Sequence, residues 1–128
     1  MYKRQLFLGA VAGVSLLVGT IGIANSVYMS VTERIAEIGI LKSIGAKESE
    51  ILSLFLIEGG IIGLLGGIIG IVSSVVLARV IGFYISVELS HFVLVGGVFF
   101  SFLLGVIASY LPARWASKLD ILIALGKR

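Results

Sequence analysis

The chain has 128 residues, 59% of them hydrophobic and 13% charged, with a mean hydropathy of +1.18 and a formal net charge of +3. Soluble domains carry about 25% charged residues, so this composition excludes a soluble globular class and describes a membrane protein. With no cysteine, a disulfide framework and thiolate chemistry are also excluded.

Crossing about 30 Å of hydrocarbon takes roughly 20 apolar residues in a helix. Three runs qualify, residues 6–30, 51–78 and 92–112, and they predict an all-α membrane protein with three transmembrane helices. The first run follows Lys3 and Arg4, as a secretory leader would. It is much longer than a leader's apolar core of about 7–15 residues, and no clear A-x-A cleavage site follows it, so it reads as a retained helix. Gly9, Gly13, Gly19 and Gly22 lie within it.

Next comes SVTERIAEIGILKSIGAK, residues 30–47, where Glu33, Arg34, Glu37, Lys42 and Lys47 crowd together. Val31, Ile35, Ile38, Leu41 and Ile44 are spaced to share one helical face. Ser30 with Glu33 fits a capping-box start and Gly45 a C′ stop, so the pattern predicts a short helix over about 32–45. Glu48 and Glu50 then fall in the first turn of the second span, where the helix dipole favours acids. A helix shorter than about 12–15 residues is marginal alone, so this one must lean on something. Anionic lipid typically asks for about 4–8 clustered basic residues, and here acids and bases alternate. A solvated continuation of the first span and a surface docked into a groove on a soluble protein both remain open from the pattern alone.

The second span carries Gly59, Gly63 and Gly67 every four residues, with Gly66, Gly70 and Ser74 beside them, a ridge of small residues suited to close helix packing. Its GLLGGIIG is glycine-rich like a phosphate loop. A P-loop needs Lys and Ser/Thr directly after the last glycine, where this chain has Ile71 and Val72, and no GxxxxGK[ST] occurs elsewhere. Glu58 is the one acid inside this span and should face other helices, water or a basic partner; snorkelling to the interface is the alternative.

RVIGFYISVELSH reads as a short exposed connection containing Gly82, Glu88 and His91, the last a solvated loop residue with no second ligand for a metal. No catalytic constellation and no metal site is expected. After the third span, residues 113–128 form a tail in which Pro112 suits the first turn after a break and Trp115, beside Arg114 and Lys118, reads as an interfacial anchor. Three spans put Arg34, Lys42 and Lys47 on one side with Arg114, Lys118, Lys127 and Arg128, against Lys3, Arg4 and Arg79 on the other. The positive-inside rule then favours an extracytoplasmic N-terminus and a cytoplasmic C-terminus.

Two stretches carry a resemblance. ERIAEIGILKSIGAK is similar to the signature of the FtsX/MacB-like ABC transporter permeases, related to the lipoprotein-release LolC/LolE permeases, and YLPARWASKLDILIAL resembles their closing segment. Order and spacing agree along the whole chain. The resemblance implies a non-catalytic permease subunit, or the C-terminal portion of one, in a multi-pass plasma or inner membrane location. The signature helix would be a coupling helix that docks on a cytoplasmic ABC ATPase subunit, with contacts at Glu33, Arg34, Glu37, Ile38, Gly39, Leu41, Lys42 and Ile44, and Gly45 and Ala46 ending it. No cofactor is then expected in this chain, since ATP and Mg would bind the partner. Gly59, Gly63, Gly66, Gly67 and Gly70 would serve helix packing, and Glu58 a conformational role. Besides the ATPase and membrane lipid, the resemblance implies a second permease copy and a source for the first span and ectodomain that the family carries; no nucleic acid is expected. Ile121 stands where the family commonly has proline. Two alternatives stay open, a signalling regulator of the cell-division type that moves no substrate, and a structural helix bundle.

Overall fold

The computed structural model describes residues 2–83, 88, 90–120, 122 and 126. Among the described residues there are four helices and no strand: α1 (Tyr2–Glu33), α2 (Ile35–Ser43), α3 (Glu48–Gly82) and α4 (His91–Ser117). The helices α1, α3 and α4 are each long and apolar enough to cross a membrane, as three spans require. Much of the connection expected between the second and third spans, and the end of the tail with Ile121, lie outside the described residues. His91 is not a loop residue: it opens α4, behind Ser90 at the N-cap.

Spanning segments must satisfy their own polar groups, and the hydroxyls do so locally. Ser15, Thr20, Ser53, Ser73, Ser74, Ser101 and Ser109 each donate to a carbonyl three or four residues earlier on their own helix. No hydroxyl in this set needs a partner on another helix.

The principal contact in the bundle is α3 on α4, with α1 packed mostly on α4 and less on α3. Glycine makes the α3–α4 approach possible. A Cβ built on Gly59 would lie 2.3 Å from Ser109 Cβ and 2.6 Å from the Gly105 carbonyl oxygen, one on Gly63 2.3 Å from the Ser101 carbonyl oxygen, and one on Gly67 1.9 Å from Ser101 Oγ. From the other side, a Cβ on Gly105 would meet the Gly59 carbonyl oxygen at 2.2 Å. A row of Gly59, Gly63 and Gly67 therefore lies against a row of Ser101, Gly105 and Ser109, both repeating every four residues. Gly66 and Gly70, expected in the same ridge, have open space where a Cβ would stand. One residue back along a helix is a rotation of about 100°, so Gly66 is turned away from the seam that Gly67 enters.

A single cluster of buried residues joins all four helices at the end that carries α2. It contains Val27 and Val31 of α1, Ile38 of α2, Ile51 and Phe55 of α3, and Ala113 and Ala116 of α4. No residue between Tyr2 and Gly22 is buried. Buried apolar side chains are thus concentrated at one end, while the α3–α4 seam continues beyond them through glycine and serine.

Two local expectations change. The helix α1 runs on to Glu33, so Ser30 is internal and no capping box forms; a residue inside a continuing helix lacks the extended N-cap conformation that the box needs. Pro112 does not follow a break either, because α4 continues through it to Ser117. Interior proline costs about 3 kcal/mol, and here the helix is held on both sides of it by buried Ala108, Ser109, Ala113 and Ala116.

Substituting Gly63 or Gly105 by Val should weaken the bundle by about 1–3 kcal/mol, the range for overpacking, whereas Gly70→Val should leave it nearly unchanged. Unfolding of the three variants in one detergent, followed by circular dichroism, checks this contrast.

Candidate functional site

The sequence's charged stretch folds as the end of α1, the nine-residue α2 and the turn into α3. Only Arg34 (φ −110°, ψ 19°) separates α1 from α2. Its N–H donates to Val31 O at 3.1 Å and its carbonyl accepts from Ile38 N–H at 3.0 Å, so the ladder of backbone bonds is bent and not cut. The two helices are one rod with a joint.

At the far end of α2, Gly45 has φ +102°, a region that side chains with a Cβ rarely adopt. The Gly45 N–H donates to Lys42 O at 3.1 Å and the Ala46 N–H to Leu41 O at 3.0 Å. This pair of bonds is a Schellman stop, with Gly45 at C′ as the sequence predicts. Lys47 then sits extended at the N-cap of α3, its N–H donating to a Glu50 carboxylate oxygen at 2.9 Å. That is half of a capping box; a lysine side chain has no acceptor to supply the other half. Glu48 and Glu50 occupy the first turn of α3.

This geometry divides the residues expected at the docking face. Glu33, Arg34, Glu37, Leu41, Ile44 and Gly45 are exposed, Ile44 at 78%. Ile38 and Gly39 are buried in the bundle, and Ala46 is half-buried. Lys42 turns inward as well. Its Nζ donates to the Ser117 carbonyl and, at 2.6 Å, to the Leu119 carbonyl, both at the end of α4. On its other side α2 leaves a cavity of about 170 Å³ bounded by Ile38, Leu41, Ala46, Glu50, Ile51, Leu54 and Phe55.

Other singled-out residues lie elsewhere. Glu58 is half-buried on α3, ten residues past Glu48 and thus about 15 Å along the helix. Trp115 meets Tyr28 of α1, with ring centroids 5.2 Å apart and a 37° tilt. Gly66 and Gly70 line an open groove of about 880 Å³ between α1, α3 and α4, with Ser15, Gly19, Ile62 and Leu104. Sequence reasoning overlooked two features. The four-residue spacing of Ser101, Gly105 and Ser109 was available as a signal for the α3–α4 seam. The Lys42 contact joins residues 75 and 77 apart in sequence, and no local pattern announces it.

Three helices long and apolar enough to cross a membrane, with a short helix built into one end, describe a membrane-protein bundle, and the similarity to known proteins places its sequence among the FtsX-like permeases. The FtsX-like permease C-terminal family matches residues 9–121, and the chain belongs to that family. It is 45% identical over 123 residues to an ABC transporter permease of Methanocaldococcus jannaschii, covering 90% of this chain and 31% of that protein. It is 48% identical over 121 residues to the ABC transporter permease YknZ of Bacillus subtilis, covering 92% and 30%. The macrolide export ATP-binding/permease protein MacB of Mannheimia succiniciproducens is 40% identical over 126 residues, covering 96% and 20%. The chain thus spans less than a third of the length of each of these relatives.

Because the turn depends on a positive φ, Gly45→Ala should cost about 1–2 kcal/mol and speed amide exchange at Gly45 and Ala46. Gly96→Ala, inside α4 with nothing within 4 Å of the new Cβ, should be neutral or stabilising by up to about 1 kcal/mol. Hydrogen exchange and unfolding of both variants give the comparison.

Proposed function

We propose that this chain is a permease subunit, or the C-terminal portion of one, in a MacB/FtsX-like ABC system, and that α2 is its coupling helix. Binding and hydrolysis of ATP in a separate cytoplasmic ATPase subunit move α2, and the spans carry that motion across the membrane to export or extract a substrate. The chain itself performs no catalysis; ATP and Mg belong to the partner. In this reading the α2 end faces the cytoplasm of a plasma or inner membrane, the N-terminus lies outside, and two permease copies pair with two ATPases.

The observation that supports this reading best is the two-sidedness of α2. Its inner face, Ile35, Ile38 and Gly39, is buried where the three spans converge, while Glu33, Arg34, Glu37, Leu41 and Ile44 are exposed beside it. A solvated continuation of α1 would have no reason to bury one face in the bundle or to expose an isoleucine at 78% on the turn that follows. An exposed apolar residue on a stretch that also exposes charges of both signs suits a protein groove better than lipid headgroups. The names of the MacB relatives join ATP-binding and permease in one protein, which agrees with a permease of this kind working against an ATPase.

Ile44→Glu and Glu37→Lys change exposed atoms only, so both variants should insert and fold normally. Each should reduce recovery of an ATPase subunit, recognised by its GxxxxGK[ST] loop, by roughly tenfold in detergent pull-downs from native membranes. Equal recovery with wild type and both variants would remove the coupling assignment. Substrate-dependent efflux from vesicles reconstituted with the purified complex then separates transport from signalling.

A further inference from the structure

The end of α4 raises a question of hydrogen-bond accounting. An α-helix leaves its last four carbonyls without intrahelical donors, here those of Arg114, Trp115, Ala116 and Ser117. The Lys118 N–H is shared between Arg114 O at 3.2 Å and Trp115 O at 3.3 Å, and the Leu119 N–H reaches Ala116 O at 3.3 Å. The Ser117 hydroxyl adds a second bond to Arg114 O at 2.8 Å. That leaves the carbonyl of Ser117, a residue only 4% exposed. Its donor is Lys42 Nζ, which also takes the Leu119 carbonyl. A cation at a helix C-terminus is further favoured by the partial negative charge gathered there.

We infer that Lys42 is a positioning residue that locks the coupling helix to the end of α4, so that displacement of α2 enters α4 directly. Two features give it this direction. Toward α4, α2 is held by two charge-assisted hydrogen bonds. Toward α3 it borders a cavity of about 170 Å³ and connects through a four-residue turn containing Gly45. Directional hydrogen bonds on one side, against an apolar contact of Ile38 with Ile51 and Phe55 beside a cavity on the other, make α2 move with the side that holds it by hydrogen bonds. Lys42 therefore does not reach the ATPase, although it lies between residues proposed to do so. The clamp itself stands on the geometry, and its role in transmission rests on the coupling reading above.

The test uses Lys42→Met, which keeps an apolar stem without the ammonium, and Lys42→Arg, which restores donors. In the wild-type complex purified from native membranes, amide exchange at Lys118 and Leu119 should be slow. Lys42→Met should raise it roughly fivefold, the factor expected for a lost cation at a helix terminus, and Lys42→Arg should restore much of the protection. The chain has no cysteine, so a single one introduced at Ser90 carries a fluorophore at the opposite end of α4. Lys42→Met should still recover the ATPase but lose the ATP-dependent change in that fluorophore's signal. Unchanged exchange at Lys118 and Leu119 in Lys42→Met would overturn the clamp. Loss of ATPase recovery with normal insertion would overturn it too, by making Lys42 a direct contact of the ATPase. If wild type itself recovers no ATPase, the coupling reading fails, and the exchange measurement alone decides whether the clamp exists.

Discussion

The approach of α3 to α4 across facing glycines governs how the rest of the bundle can be arranged. In lipid, burying an apolar side chain against another gains little over burying it against acyl chains, so helices associate through close packing. At Gly59, Gly63 and Gly105 the two backbones come near enough that a single methyl group on any of them would overlap the opposite helix. This seam leaves α3 and α4 as a tight pair whose remaining surfaces receive the other elements. At one end, Ile51 and Phe55 of α3 and Ala113 and Ala116 of α4 form the bed on which Val27, Val31 and Ile38 are set. The helix α2 thus rests on a bed supplied by the same two helices that meet at the glycine seam.

Reading the chain residue by residue recovers three long apolar helices and a short helix after the first, because length is a property of contiguous sequence; the single apolar face expected of the short helix is not recovered, since Val31, Ile35 and Ile38 are buried while Leu41 and Ile44 are exposed. Gly45 is legible for the same reason: a glycine directly after a run of helical spacing marks a stop, and its φ of +102° meets that expectation. The errors fall where tertiary packing overrides a local rule. Ser30 and Glu33 have the spacing of a cap, but α1 had no reason to end there, since the buried Val27 and Val31 carry it forward into the core. Pro112 looks like a break until the buried small residues on either side of it hold the helix together. Glycines 66 and 67 are indistinguishable in composition, and only the crossing of α3 and α4 decides that one enters the seam while the other faces open space.

The charged stretch shows the limit most clearly. Sequence places Glu37 and Lys42 together as members of one polar surface, and their residue types suggest a common purpose. Folding separates them. Glu37 stays exposed, whereas Lys42 bends inward to carbonyls at the end of a helix that begins 49 residues later. A long flexible side chain reaches whichever acceptors the fold brings near it, and backbone carbonyls leave no mark in the sequence.

The three spans are also packed unevenly. The helix α1 is attached over its last third, where Val27 and Val31 are buried and Tyr28 meets Trp115 of α4. Its first twenty or so residues are not buried against the pair, and a groove of about 880 Å³ runs beside them. Its buried end lies next to Arg34, the single residue that joins it to α2, and the helix runs about 48 Å from there. By contrast, α3 and α4 are packed closely along their seam. The α2 end therefore meets two differently packed neighbours: an α3–α4 pair joined along a close seam, and a helix α1 whose burial is confined to its last turns.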